Sequence, residues 1–150
     1  MKIKHGRETI TTKIAYIAGF FDGEGCVRIK QSNQGGNSYY VIAHITNTNQ
    51  SILKEVQELF GGTIRMQERG PNKDIYNWQI TSAEAVDFLQ TLVPFLKEKQ
   101  AQATYAISFH ERKGTMDAAE KRAAYVTISA MKRGFQVIGN IYENPELLKV

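Results

Sequence analysis

Twice within its first 81 residues the chain runs through one pattern: apolar residues at helical spacing, a glycine stop, then two alternating stretches joined by a turn. In the first pass Ile14, Ile17 and Phe21 recur at helical intervals and predict a helix from about Thr12 to Asp22. Thr12 is its candidate N-cap, and Gly23 and Gly25 stop it. From Cys26 to Ser32, Val27 and Ile29 alternate with Arg28 and Lys30. Gln34-Gly35-Gly36-Asn37 turns the chain, and Tyr39, Val41, Ala43 and Ile45 then alternate with Tyr40, Ile42, His44 and Thr46. In the second pass Ile52, Leu53, Val56, Leu59 and Phe60 mark a helix, with Asn49 and Ser51 as capping candidates and Gly61-Gly62 as its end. Strands at Thr63–Arg69 and Asp74–Thr81 flank a turn at Gly70-Pro71-Asn72. Ser82 is placed to cap a further helix carrying Val86, Leu89 and Val93, interrupted by Pro94. Helical segments from about Phe95 to Arg112 and Asp117 to Lys132, separated near Gly114, complete the pattern.

The order helix, hairpin, helix, hairpin, helices predicts an α+β fold, α-β-β-α-β-β-α with an additional C-terminal helix. Its centre would be a curved four-stranded antiparallel sheet with helices on one face. That face would bury Val27, Ile29, Val41, Ile45, Ile64, Tyr76, Trp78 and Ile80. The other face would carry Arg28, Lys30, Ser32, Tyr40, His44, Arg65, Gln67, Arg69, Asn77 and Gln79, a set without a single acid. An antiparallel ribbon can enter the major groove, where Arg reads guanine and Asn or Gln reads adenine, so these ten residues are the candidates for DNA contact. A register slip of one residue would exchange half of them for core positions. Trp78 belongs with the core, and His44 has no second histidine at metal-ligand spacing.

Inside the first helix, Ala15, Gly19 and Gly23 form a stripe without bulk, with Ala18 beside it. Glycine within a helix costs up to about 1 kcal/mol relative to alanine, so the stripe needs a reason. It serves either close packing on this chain's own sheet or close approach of a second chain, and spacing alone does not choose. In the second case two Glu24 carboxylates would meet, and adjacent carboxylates repel unless hard cations such as Mg²⁺ bridge them. That arrangement suits two-metal phosphodiester cleavage.

Residues 17–25, IAGFFDGEG, resemble the LAGLIDADG motif of a family of homing endonucleases. Ala18, Gly19, Asp22 and Gly25 agree outright, Ile17, Phe20 and Phe21 keep the apolar positions, Gly23 replaces a small residue, and Glu24 stands for the usual Asp. Relatives with one motif share the α-β-β-α-β-β-α order, here across roughly residues 12–112. The resemblance implies that Glu24 binds metal with the Gly23 carbonyl beside it, and that Asp22 supports the helix end. The stretch Phe88-Leu89 followed by Val93-Pro94-Phe95-Leu96-Lys97-Glu98-Lys99-Gln100 is similar to a family segment that brings a lysine to the cleavage site, with Lys99 the better match than Lys97. Asn47 occupies a position where relatives place a polar, water-positioning residue, and Ser51 one where some have a basic side chain. One-motif relatives are homodimers, and a second G-x-x-D-x-[DE]-G does not occur here, so two chains must supply two acids.

The resemblance therefore implies a metal-dependent endodeoxyribonuclease encoded within an intron or intein. It would act as a homodimer on a long, nearly palindromic duplex site and leave short 3′ overhangs, with Mg²⁺ as cofactor and Mn²⁺ as second candidate. An intron-RNA-binding maturase and a non-catalytic DNA-binding protein are the alternatives; retention of Glu24 and the basic strand face disfavours a pure maturase. The bulk numbers agree. With 150 residues, 42% of them hydrophobic, a single domain spanning 1–150 can form a core. The net charge of +4 suits a polyanion, and Lys113, Lys121, Arg122, Lys132 and Arg133 could steer flanking backbone. One cysteine, Cys26, excludes an internal disulfide, and the polar start and lack of a long apolar run predict a soluble intracellular protein, cytoplasmic or organellar, with no membrane partner.

Overall fold

The computed structural model describes residues 9–32, 36 and 38–133, without the side chains of 132 and 133. The expectations for Gln34, Gly35 and Asn37 of the first turn, for the charges of Lys132 and Arg133, and for the tail from Gly134 lie outside the described residues.

Helix α1 (Ile10–Glu24) starts earlier than its apolar spacing suggests. Thr9, not Thr12, is the N-cap: its hydroxyl accepts from the Thr12 backbone N–H at 3.0 Å. At the other end the helix runs through Gly23 to Glu24, and strand β1 (Gly25–Gln31) follows with no linker. Gly25 is extended, φ −87°, so what it contributes is lack of bulk. A Cβ there would stand 2.2 Å from the Phe21 ring.

Strands β2 (Tyr39–Asn47), β3 (Thr63–Arg69) and β4 (Asn72–Thr81) complete one antiparallel sheet in the order β1-β2-β4-β3. The two hairpins thus join through β2 and β4, with Ala43 opposite Ile80 and Ile45 opposite Trp78. Helices α2 (Gln50–Phe60), α3 (Ser82–Leu92), α4 (Gln100–Arg112) and α5 (Ala118–Arg133) follow in chain order, giving the expected α-β-β-α-β-β-α arrangement plus two C-terminal helices. One sheet face, carrying Val27, Ile29, Val41, Ala43, Ile45, Trp78 and Ile80, packs against Phe21, Leu53, Phe88, Phe109 and Ile128 from the five helices. Ile64 and Tyr76, expected in the core, are only partly buried: Ile64 lies on the edge strand β3, and Tyr76 pairs with Asn47, the last residue of β2.

Phe88 is the hub of this core, with ring centroids 5.2 Å from Phe21, 4.9 Å from Phe60 and 5.0 Å from Trp78. Each such pair adds about 0.5–1.5 kcal/mol beyond burial. Trp78 is fully buried and also closes α2: its indole N–H donates to the Gly61 carbonyl at 2.8 Å. Gly61 and Gly62 turn the chain there with φ of 85° and 88°.

Boundaries later in the chain differ from expectation too. Thr81 is the N-cap residue of α3, and Ser82 is already its first residue, with φ 55°. The helix expected from Phe95 begins only at Gln100, after a 3₁₀ turn at Val93–Phe95 and an irregular stretch over 96–99. A capping box between Asp117 and Glu120 starts α5, which packs along β1.

Candidate functional site

The C-terminal end of α1 gathers the chemistry. A helix leaves its last carbonyls without intrahelical donors, and their partial negative charge attracts cations. Here the Phe21 carbonyl takes the Gly25 N–H, and the Asp22 carbonyl takes the Lys99 ammonium. The Gly23 carbonyl is left without an intrahelical donor, one residue before the exposed Glu24 carboxylate. Lys99, 77 residues after Asp22, is thus brought to the same helix end as Glu24.

Asp22 does not fold back onto its own helix, as the sequence suggested. Its two carboxylate oxygens accept from the backbone N–H groups of Lys97, at 2.7 Å, and Lys99, at 3.0 Å. It therefore grips the irregular stretch that leads into α4. Lys97 contributes only this N–H, and its side chain is exposed. Asn47 is engaged within the chain as well. It lies on the same strand alternation as Val41 and Ile45, towards the helices, and its amide oxygen accepts from Asn49 N at 2.8 Å, setting up the entry to α2. Asn49 in turn caps α2 by accepting from Ser51 N–H, which leaves Ser51 a helix-start residue.

The face of the sheet turned away from the helices can be read row by row across the strands. Thr46, Asn77 and Arg65 form one row; Cys26, His44, Gln79 and Thr63 the next; then come Arg28, Ile42 and Thr81, and then Lys30 and Tyr40. Ile75 and Gln67 flank the first row on its other side. No acidic side chain stands in any of these rows. Arg28, Lys30, Tyr40, His44, Arg65, Gln67, Asn77 and Gln79 therefore share one face, with Ser32 just past the end of β1, its N–H held by the Ser38 carbonyl. Arg69 is set apart: the register shifts between Gln67 and Arg69, and the Arg69 Nε donates to the Lys73 carbonyl at the hairpin end. The Arg28 Nε is buried with no hydrogen-bond partner among the described residues.

The ten candidates for DNA contact leave out several members of this face, among them Thr46, Ile42 and Cys26, the last expected as a small side chain near the DNA. The Thr46 hydroxyl donates to Asn77 Oδ1 at 3.4 Å, in the row nearest the end of α1. Ile42 is buried on this side, and Cys26 is buried directly opposite His44. The strand alternation contained Thr46 and Ile42, but their neutral or apolar side chains gave no signal of ligand contact.

The small-residue stripe resolves as well. Ala15, Gly19 and Gly23 are exposed, and a Cβ at Gly19 or Gly23 would meet nothing within 4 Å. Packing against this chain's own sheet is therefore not what keeps these glycines small. Ala18 does not belong with them: it is fully buried in this chain's own core and has no surface to offer a partner. On the far side of α1, a groove of about 300 Å³ lies between Tyr16 and Ile17 of α1 and Ile52 and Leu59 of α2.

Among the described residues no cluster of three or more His, Cys, Asp or Glu forms a closed metal cage. The sparse, all-oxygen pair of Glu24 carboxylate and Gly23 carbonyl fits a hard cation that keeps waters and takes phosphate oxygens, as Mg²⁺ does. At the α4–α5 junction the Lys113 ammonium donates to the Tyr39 carbonyl at 3.2 Å. Burial, and the nearby Lys121 charge, push its pKa below the ordinary value of 10.5. No helix among the described residues is long and apolar enough to cross a membrane.

The sequence profile of the LAGLIDADG-like domain matches residues 11–93, more than half of the chain. No curated protein matches the sequence. Among solved structures the fold is similar to that of the homing endonuclease I-CvuI in complex with its target in the presence of 2 mM Ca, at TM-score 0.69 and 23% identity, covering 83% of this chain and 84% of that one. It is also similar to the archaeal intron-encoded homing endonuclease I-Vdi141I complexed with DNA, at TM-score 0.58 and 21% identity over 78% and 79% of the two chains. A third, the homing endonuclease I-TnaI, aligns at TM-score 0.56 and 21% identity over 89% and 90%.

Proposed function

Since the chain belongs to the LAGLIDADG family, we propose that it is a homing endonuclease: two copies pair through the outward face of α1 and cut both strands of a long, nearly palindromic DNA site, leaving short 3′ overhangs. The observation that carries this reading is the position of Glu24. It is exposed at the end of a helix whose outward glycines, Gly19 and Gly23, pack against nothing among the described residues, and it leads directly into an acid-free sheet face carrying Arg28, Lys30 and Arg65.

Each part has a physical role. Ala15, Gly19 and Gly23 let two α1 backbones approach closely, which brings one Glu24 from each copy to a common centre. Glu24 and the Gly23 carbonyl would hold Mg²⁺, or Mn²⁺, which when bound activates water and stabilises charge at the scissile phosphate. The Lys99 ammonium, fixed at the same helix end, offers its remaining N–H donors to a phosphate oxygen. Arg28, Lys30, Arg65, Asn77 and Gln79 reach base edges and phosphates along the major groove. Thr46 orients the Asn77 amide by holding its oxygen, which aims the amide donors outward.

The test is a supercoiled plasmid library carrying candidate sites, incubated with protein and Mg²⁺ or with chelator. Linear product that requires Mg²⁺, and that vanishes in Glu24→Gln while DNA binding persists, supports the proposal. Binding without cleavage in every condition would instead support a non-catalytic DNA- or RNA-binding protein on this fold. Normal cutting by Glu24→Gln would remove the acid from its assigned role.

A further inference from the structure

We propose that Asp22 is a positioning residue for cleavage: its carboxylate clamps the segment before α4 and so holds the Lys99 ammonium at the acid end of α1. This rests on the proposed role of Lys99 in cutting DNA.

The argument starts from the segment itself. Residues 96–99 have no regular secondary structure between the 3₁₀ turn and α4. Lys99 is the N-cap of α4, yet its own side chain makes no capping bond. The segment leading up to and including this cap is held from 77 residues away, because Asp22 accepts from Lys97 N–H with one oxygen and from Lys99 N–H with the other. An ionised carboxylate is acceptor-only, so both oxygens suit both donors. With its backbone fixed there, the Lys99 side chain reaches the Asp22 carbonyl, an acceptor left open by the end of α1. The three contacts close on a single residue, two positions before Glu24. One ammonium N–H is used in this grip and two remain for a ligand. Lys99 is thereby placed before DNA arrives, and such preorganisation is what a positioned catalytic group needs.

A helix-end support would predict only a stability effect for Asp22. The clamp predicts something narrower. In Asp22→Asn one oxygen acceptor becomes an NH₂ facing a backbone N–H, so one grip is lost and the shape is kept. Single-turnover cleavage should fall about 100-fold, the scale expected when a catalytic group shifts by about 1 Å. DNA affinity should change less than about threefold, since no groove-facing side chain is touched.

The decisive experiment compares wild type, Asp22→Asn, Lys99→Met and the double variant in single-turnover cleavage. Lys99→Met should lose about 100-fold or more, and adding Asp22→Asn to it should cost nothing further. Multiplying losses in the double variant, or wild-type cleavage by Asp22→Asn, overturns the proposal. Should Lys99→Met cut normally, the failure lies in the role assigned to Lys99, and the clamp has no catalytic purpose. A second measurement needs no variant: in the wild-type protein the side-chain N–H protons of Lys99 should exchange with water more slowly than those of exposed Lys97. Equal rates overturn the clamp.

Discussion

Substituting Gly25 by alanine should damage this fold far more than the same change at Gly19 or Gly23. The added Cβ would stand 2.2, 2.4 and 2.7 Å from three atoms of the Phe21 ring. Carbon atoms settle about 3.5–4.0 Å apart, so the ring must withdraw by roughly 1–2 Å. It has nowhere to go. Phe21 is fully buried and meets Phe88 edge-on, and Phe88 is itself hemmed by Phe60 and Trp78. The backbone cannot yield either, since Gly25 pairs with Ile45 in the first rung of β1–β2. Overpacking a core costs about 1–3 kcal/mol, and a clash against a locked aromatic cluster belongs at the upper end, about 3 kcal/mol. For a chain of this size that lowers Tm by roughly 6–12 °C. Urea unfolding followed by the fluorescence of the single, buried Trp78 measures it directly. Gly23→Ala is the control, because its Cβ would meet nothing within 4 Å. A Gly25→Ala loss below about 0.5 kcal/mol would refute the reasoning, by showing that the ring gives way without cost.

Two further outcomes follow from the same contacts. Gly19→Ala should raise the stability of the separate chain by up to about 1 kcal/mol through helix propensity, while weakening self-association in sedimentation; destabilisation of the separate chain would mean that the stripe packs internally. Lys113, whose folded pKa is lowered, binds fewer protons in the folded than in the unfolded chain between that pKa and about 10.5. Stability should therefore rise with pH across this window, and Lys113→Met should lack that increment in paired urea titrations; identical pH profiles would contradict it.

Most of the fold was legible because it is written in local periods. Helical spacing in α1 and α2, two-residue alternation in the four strands, and glycines at the turns all act over a few residues, and the rungs of the sheet keep the predicted faces. What escaped depends on partners far along the chain or on one side chain's choice of acceptor. Asp22 looked like a local helix-end residue because nothing nearby indicates that its partners are the N–H groups of Lys97 and Lys99. Asn47 carried a water-positioning role by the resemblance, and its residue type did not show that the turn into α2 claims its oxygen. Ala18 neighbours Gly19 in sequence and points about a quarter-turn away, which is the difference between core and surface. Arg69 was assigned by alternation, which the bulge after Gln67 interrupts. Local physics drew the scaffold, and long-range contacts decided which end of each side chain remains for function.

The sharpest measurement uses mixed pairs. Differently tagged wild-type and Glu24→Gln chains are co-expressed, and the dimer carrying both tags is isolated and given supercoiled site DNA with Mg²⁺. If each copy delivers one carboxylate to one strand, the mixed pair should convert supercoiled DNA to the nicked circle and stall, while the wild-type pair gives linear product. Linear product from the mixed pair, or cutting by a species that sediments as a single chain on DNA, would contradict a shared centre at the ends of two α1 helices.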